Sequence, residues 1–359
     1  KIISYPGKMT NSSNQRDEDL AIKPTSPIVE RALGLFFLAL LARLIWEFRT
    51  DQELGVLFLC CFVATVLFSK GIAFIARKLG QILSNCRRGQ HIPADCRHPL
   101  RTPLKQRKFA DQAWQLAIHV SMACFELYLL NGTTWYTNPA TCFSPCPLTF
   151  TPSTELRFFY VLQLAIWVWT GFSCKWIESR RKDYVEMMLH HCVTVGLILG
   201  SFLNGEHAIG LVVLFVHDTS DVALDLMKMF NYLKLEDQHG WYITEVSFVA
   251  NLCTWIYFRL YVFPVHVLYY GSWHGYAAQC GEEGIEGVFA RCQSAGSCLQ
   301  SDIGLAVLCV LHVFWFYILL RVAYKLIGNT SASQIGREEY EGESGDSGAD
   351  EGSDVKKER

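Results

Sequence analysis

"MMLHHCVTV", residues 187–195, and "LFVHDTSDVALDLMKM", residues 214–229, decide how this chain is read. Both are apolar runs broken by ionisable groups. The first holds His190 and His191; the second holds His217, Asp218, Asp221 and Asp225. On a helix, His217, Asp221 and Asp225 recur every fourth position and Asp218 lies three before Asp221, so all four share one face. Each Asp at bilayer depth costs roughly 2.5–3.5 kcal/mol, about 8–10 for three. The Leu, Ile, Val and Phe residues of the run return only about 5 kcal/mol in total. This face therefore lines a protein interior or a wet cavity, not lipid. Asp225, nearest the cytosolic end, is expected to meet water or Lys228.

The bilayer context comes from the rest of the chain. Of 359 residues, 51% are hydrophobic and 18% charged, and the apolar ones cluster in runs of about 20, the length that crosses a membrane as a helix. Eight spans are predicted near 28–46, 54–75, 113–130, 157–176, 185–204, 207–227, 243–265 and 303–325. Basic residues crowd 76–112 and "KWIESRRKDY", whereas 131–156 has no Lys or Arg and 271–302 has only Arg291. The alternation predicts both termini and the basic loops on the cytosolic side. It also accounts for the basic clusters without nucleic acid.

The predicted organisation is a polar, disordered segment over 1–27, two helices over 28–75 and a basic cytosolic loop over 76–112. A six-helix core over 113–328 and an acidic, disordered tail over 329–359 complete it. The first apolar run follows a polar lead and reads as a span, not a cleavable signal. The tail ends "KKER", which looks like a dilysine retrieval signal for the endoplasmic reticulum. In "SGAD", Ser347 is either a site for acidophilic kinases or part of a solvated acidic stretch. Asn131 in "NGT" is a lumenal glycosylation sequon close to a span end. Cys142, Cys146, Cys280, Cys292 and Cys298 fall on the lumenal side, where disulfides form, in a pairing the sequence leaves open.

Few residues separate the fifth and sixth spans, so an antiparallel hairpin is predicted. His191 and Asp218 lie about equally far from its turn and hence at similar depth. A carboxylate beside an imidazole fixes its tautomer and raises its basicity, as general-base and nucleophilic chemistry require. Hydrogen-bonded packing histidines and proton-coupled transport are the other readings. Metal-ligand spacing is poor: "HHCVT" and "HDTSD" supply too few histidines for a di-iron site, and His119, His266, His274 and His312 are scattered singly. A zinc site from His190, His191 and an Asp stays geometrically open, but no metal is expected.

Residues 184–232, "YVEMMLHHCVTVGLILGSFLNGEHAIGLVVLFVHDTSDVALDLMKMFNY", resemble the signature of the ceramide synthases within the TLC-domain family. The likeness extends from "KFADQAW" through Arg259 and Pro264 of "WIYFRLYVFP" to "HVFWFYILLRVAYK". A homeobox-like insert of the animal members is missing, and two spans precede the core, as in fungal members. The resemblance implies an all-α polytopic protein whose last six helices form a barrel around a lipid cavity. It implies transfer of a long-chain acyl group from CoA to a sphingoid base in the endoplasmic reticulum membrane, with acyl-CoA as substrate and no cofactor. The matching motif residues are His190, His191, His217, Asp218 and Asp221. CoA would sit near Arg180, Arg181 and Lys182, while Asn204, Asp225, Arg259 and Trp315 either touch substrate or serve structure. Membrane lipids, a homodimer or a regulatory membrane subunit are the further partners implied. A non-catalytic TLC-domain lipid sensor and a proton-coupled lipid transporter remain the alternatives.

Overall fold

A computed structural model describes residues 26–86, 100, 103–144, 150–178, 182–235, 242–275 and 298–327. The described residues form long helices with no strand. They are α1 (Pro27–Phe48), α2 (Gln52–Cys86), α3 (Pro103–Leu130), α4 (Thr154–Trp176), α5 (Tyr184–Leu203), α6 (His207–Tyr232), α7 (Ile243–Thr254) and α8 (Cys298–Ile327). A short 3₁₀ turn, Pro139–Phe143, follows α3, and α7 runs on without a break as a π-wound helix from Trp255 to Gly275. Pro264 lies inside that wider helix.

Five of these helices are long and apolar enough to cross a membrane: those over Gln52–Ile82, Lys105–Leu130, Tyr184–Leu203, Ile243–Gly271 and Ser301–Leu326. The chain is an all-α polytopic membrane protein. Large apolar side chains such as Leu35, Leu59, Leu67, Val310 and Tyr324 stand on the outer surface, as a lipid-facing exterior requires. α2 and α3 run well past the apolar runs that mark them, because the Lys, Arg, Gln and Ala residues beyond are good helix formers and no Pro or Gly pair stops them.

The turn between α5 and α6 is made by Asn204, Gly205 and Glu206. Gly205 has φ +76°, a left-handed conformation that a side chain would disfavour, and Asn204 caps α5 through its N–H to the Gly200 carbonyl at 2.9 Å. Despite this tight turn, α5 and α6 scarcely touch. α5 packs instead on α4, α8 and α1, and α6 on α3, α7 and the π-wound segment. The predicted hairpin is therefore splayed. Both facing surfaces carry ionisable side chains, and a cavity separates them. α2 lies against α3 and α4, outside this arrangement.

Candidate active site

Two cavities occupy the space between α5 and α6. The larger, about 200 Å³, is lined from all of α3 to α8, including His119, Gln163, His190, His191, Asp218 and Arg259. The smaller, about 60 Å³, runs toward the 3₁₀ turn and is lined by Phe143, Thr194, Leu197, Val213, His217 and Leu305, among others. Both exceed the roughly 15 Å³ that one water needs. Trp167 and His190 line both. His190 thus stands at the junction.

The His190 ring is held by aromatic edges, with Trp167 at 5.4 Å and Trp315 at 5.6 Å between centroids, both T-shaped. Its Nδ1 is buried with no hydrogen-bond partner among the described residues. His191, one residue on, has its ring 5.7 Å from Trp167 and lines the larger cavity alone. Trp315 is fixed in turn by its indole N–H donating to Asp183 Oδ2 at 3.1 Å, which ties α8 to the start of α5. The cavity, not a direct hydrogen bond, connects His190 to the carboxylates.

Each α6 carboxylate has its own compensation, which is how the chain meets the insertion cost of three buried acids. Asp218, 1% exposed, accepts from Gln163 Nε2 at 2.9 Å. Asp221 meets Arg259 Nη2 at 2.6 Å. Asp225, only 2% exposed, pairs with His119 Nδ1 at 2.7 Å and accepts from the Gln112 amide. Arg259 also donates to Ser220 Oγ, the His217 carbonyl and His312 Nε2. His217 Nδ1 donates to the Val213 carbonyl at 2.7 Å, and its Nε2 lies 3.2 Å from His312 Nε2.

α3 and α6 run antiparallel, and their polar residues keep one register. His119 faces Asp225, and Glu126, seven residues further along α3, approaches Asp218, seven residues back along α6. Gln163 Nε2 donates to both Asp218 and Glu126 Oε1, the latter at 3.0 Å, while its Oε1 accepts from Trp167 Nε1 at 3.1 Å. Gln112, His119, Glu126, Gln163 and His312 were not assigned to the site from sequence. The stripe Gln112, His119, Glu126, at steps of seven on one face of α3, is the signal that would have found three of them.

Ligand atoms of His119, Asp218 and Asp221 lie within 4.8 Å of one another, a spacing a cation could use. The guanidinium of Arg259 already balances Asp221 and His119 already faces Asp225, so we read the cluster as a charge network. Of the remaining sequence-predicted residues, Asn204 is at the far turn and lines neither cavity. Lys182 lies outside both linings, whereas Lys228 is part of the larger one. Arg180, Arg181, Cys146, Cys280, Cys292 and Ser347 lie outside the described residues, as does the Cys298 side chain. Cys142 is a buried free thiol donating to the Trp135 carbonyl at 3.8 Å, and burial pushes its pKa up. Asn131 is exposed at the end of α3.

A family model of the TLC domain matches residues 108–321, more than half of the chain and all of the helices that line the cavities. The chain belongs to the TLC-domain family. Among its curated relatives, human ceramide synthase 5 is 27% identical over 241 residues, 66% of this chain and 55% of that protein. Mouse ceramide synthase 1 is 33% identical over 175 residues, 46% of this chain and 49% of that protein. The Arabidopsis thaliana ceramide synthase LOH1 is 26% identical over 290 residues, 79% of this chain and 89% of its own. The chain spans about half the length of the mammalian relatives it matches.

Proposed function

We propose that this TLC-domain chain is a ceramide synthase, transferring a long-chain acyl group from CoA to the amine of a sphingoid base. The observation that carries the reading is the position of His190 at the junction of two cavities, opposite a buried bank of carboxylates. Eight spans with the basic ends cytosolic, in the endoplasmic reticulum membrane, would open the larger cavity toward cytosolic CoA. α3 to α8 would then form the barrel. Relatives named ceramide synthase support the substrate class.

In this reading the acyl chain extends into the smaller cavity and brings its thioester carbonyl to His190. The amine enters the larger cavity, where Asp218 and Asp221 attract its ammonium. The C–S bond breaks, a C–N bond forms, CoA leaves as the thiol, and one proton is released overall. Because the protonated amine has no lone pair, a base must take its proton first, and Asp218 with the nearby imidazoles serves that step. No cofactor beyond the two substrates enters. Lys228, on the wall of the larger cavity, would meet the CoA phosphates together with Arg180, Arg181 and Lys182.

Microsomes carrying the chain, supplied with sphinganine and a set of acyl-CoAs, test the reading directly. Ceramide should form, and Asp218→Asn, which keeps size and removes charge, should lower it by roughly 10²-fold or more at unchanged membrane-extracted protein level. Lack of product from the unaltered protein would favour a lipid sensor or transporter. Undiminished product from Asp218→Asn would remove the catalytic reading of the α6 face. A second expectation concerns chain length. Leu305, buried on the wall of the smaller cavity, should shift the preference toward shorter acyl-CoAs when enlarged to Trp, with turnover kept on the shorter substrates. Competition among mixed acyl-CoAs, read by mass spectrometry, measures this; an unshifted product profile would place the chain elsewhere.

A further inference from the structure

Thr194 stands one helical turn beyond His190 on α5, and both line the smaller cavity. Residues four apart share a helix face, with Cβ atoms about 5–6 Å apart. Thr194 is 7% exposed, and its hydroxyl is buried with no hydrogen-bond partner among the described residues. A threonine inside a helix commonly donates to the carbonyl three or four residues back. Thr65, Thr170 and Thr254 do so here, to the carbonyls of Cys61, Trp167 and Asn251 at 2.8, 3.0 and 2.9 Å. Thr194 does not. The neighbouring donors are committed elsewhere. The indole N–H of Trp167 goes to Gln163 and that of Trp315 to Asp183. Of the other hydroxyls lining the smaller cavity, Tyr160 donates to the His207 carbonyl, Ser201 to the Glu206 carbonyl and Ser301 to the Glu206 carboxylate.

We propose that Thr194 is a catalytic residue whose hydroxyl donates to the acyl carbonyl oxygen as negative charge builds on it. The role rests on the acyl-transfer reading, in which the thioester carbonyl lies at His190 and the chain continues past Thr194. When a nitrogen adds to that carbonyl, a C–N bond forms and the C=O π pair moves onto oxygen. Thr194 hydrogen-bonds the oxyanion and keeps its own proton. Collapse restores C=O and breaks C–S; the sulfur leaves with the bonding pair and takes up the proton shed by the attacking nucleophile. The hydroxyl serves equally whether that nitrogen belongs to His190 or to the amine. Such a donor is worth most in a site closed to water, where it needs no reorganisation as the charge appears. The two rotamers open to a helical threonine exchange its methyl and hydroxyl, so the donor can turn to the substrate while the backbone stays fixed.

The test uses the full chain in detergent, with sphinganine and the acyl-CoA that the unaltered protein uses best. Thr194→Val keeps the shape and deletes the donor. It should lower turnover at saturating substrates by roughly 10²–10³-fold, the effect of removing one oxyanion donor, with KM for acyl-CoA unchanged. Thr194→Ser keeps the hydroxyl and should recover most of the rate. Stability should move the other way. With a buried, unpartnered hydroxyl gone, Thr194→Val should unfold at the same or a higher SDS fraction than the unaltered protein. A residue that only packs would give the reverse pattern, with Val harmless and Ser impaired. Full turnover in folded Thr194→Val, a loss confined to KM, or Thr194→Ser as slow as Thr194→Val would each overturn the role. Should Thr194→Val fail to fold, Thr194→Ala against Thr194→Ser decides by the same criteria. The two ideas fail differently. If the unaltered protein makes ceramide and Thr194→Val makes as much, the oxyanion role falls and acyl transfer stands. If the unaltered protein makes none, the acyl-transfer reading falls, and the role of Thr194 with it.

Discussion

Alanine at His190 should reduce ceramide formation by about 10²–10⁴-fold, the contribution of a positioned acid–base or nucleophilic group, while alanine at His191 should leave a measurable rate. The difference follows from their positions. Successive residues on a helix point about 100° apart, and of the two histidines His190 reaches both cavities while His191 lines the larger one. The His190 ring is clamped between Trp167 and Trp315, and its Nδ1 meets no donor or acceptor among the described residues. An imidazole clamped by two indoles at a cavity wall is suited to attack a thioester. Covalent transfer splits one difficult step into two and lets CoA leave before the amine reacts. Intact-mass analysis after incubation with acyl-CoA alone should therefore show an acyl adduct. The adduct should vanish in His190→Ala and persist in His191→Ala. An adduct that survives in His190→Ala would move the nucleophile to another residue. CoA release only when amine is present, with no adduct at all, would leave His190 as a general base in a direct transfer.

Much of this site was legible because its chemistry is concentrated in two short runs. Paired histidines and three aspartates in apolar helices contradict their surroundings, and the insertion cost alone implies a cavity behind them. Arg259 was legible in part, as the single cation in an apolar run, and the structure makes it the partner of Asp221. The carboxylates' other partners were not legible in the same way. Gln163 and His312 are solitary polar residues on α4 and α8, and a solitary residue has no periodicity to betray which face it serves. The splaying of α5 from α6 was hidden too. A short turn predicts that two helices are neighbours, but not whether their facing surfaces prefer each other or a cavity. Here each helix carries apolar side chains on its flanks, and those flanks find α3, α4, α7 and α8. Asp225 illustrates the consequence. Its place near a helix end suggested water or Lys228; α3 lies along α6 and adds His119 and Gln112 as hydrogen-bond partners.

Leucine at Arg259 should be the most destabilising single change in the molecule. The guanidinium, 3% exposed, engages Ser220 Oγ at 2.6 Å, Asp221 at 2.6 Å, the His217 carbonyl at 3.1 Å and His312 Nε2 at 3.0 Å. Trp255 covers it at 5.1 Å and donates its own N–H to the His312 carbonyl. One side chain thus joins the π-wound segment, α6 and α8. Removing it strips Asp221 of its cation, and a buried charge left unpaired costs about 3–5 kcal/mol. Lysine keeps a charge but not the planar fork, so Arg259→Lys should recover only part of the loss. The decisive variant is the double change Arg259→Leu with Asp221→Leu. Replacing both partners of a buried ion pair by apolar residues is often neutral or stabilising, so the double variant should regain most of the stability and none of the activity. Unfolding in mixed micelles of increasing SDS content reports the first, and ceramide output the second. Arg259→Leu unfolding at the same SDS fraction as the unaltered protein would show that the network does not hold the three helices together. A double variant that regained activity with stability would show that Asp221 serves the fold alone, leaving Asp218 as the carboxylate that meets the amine.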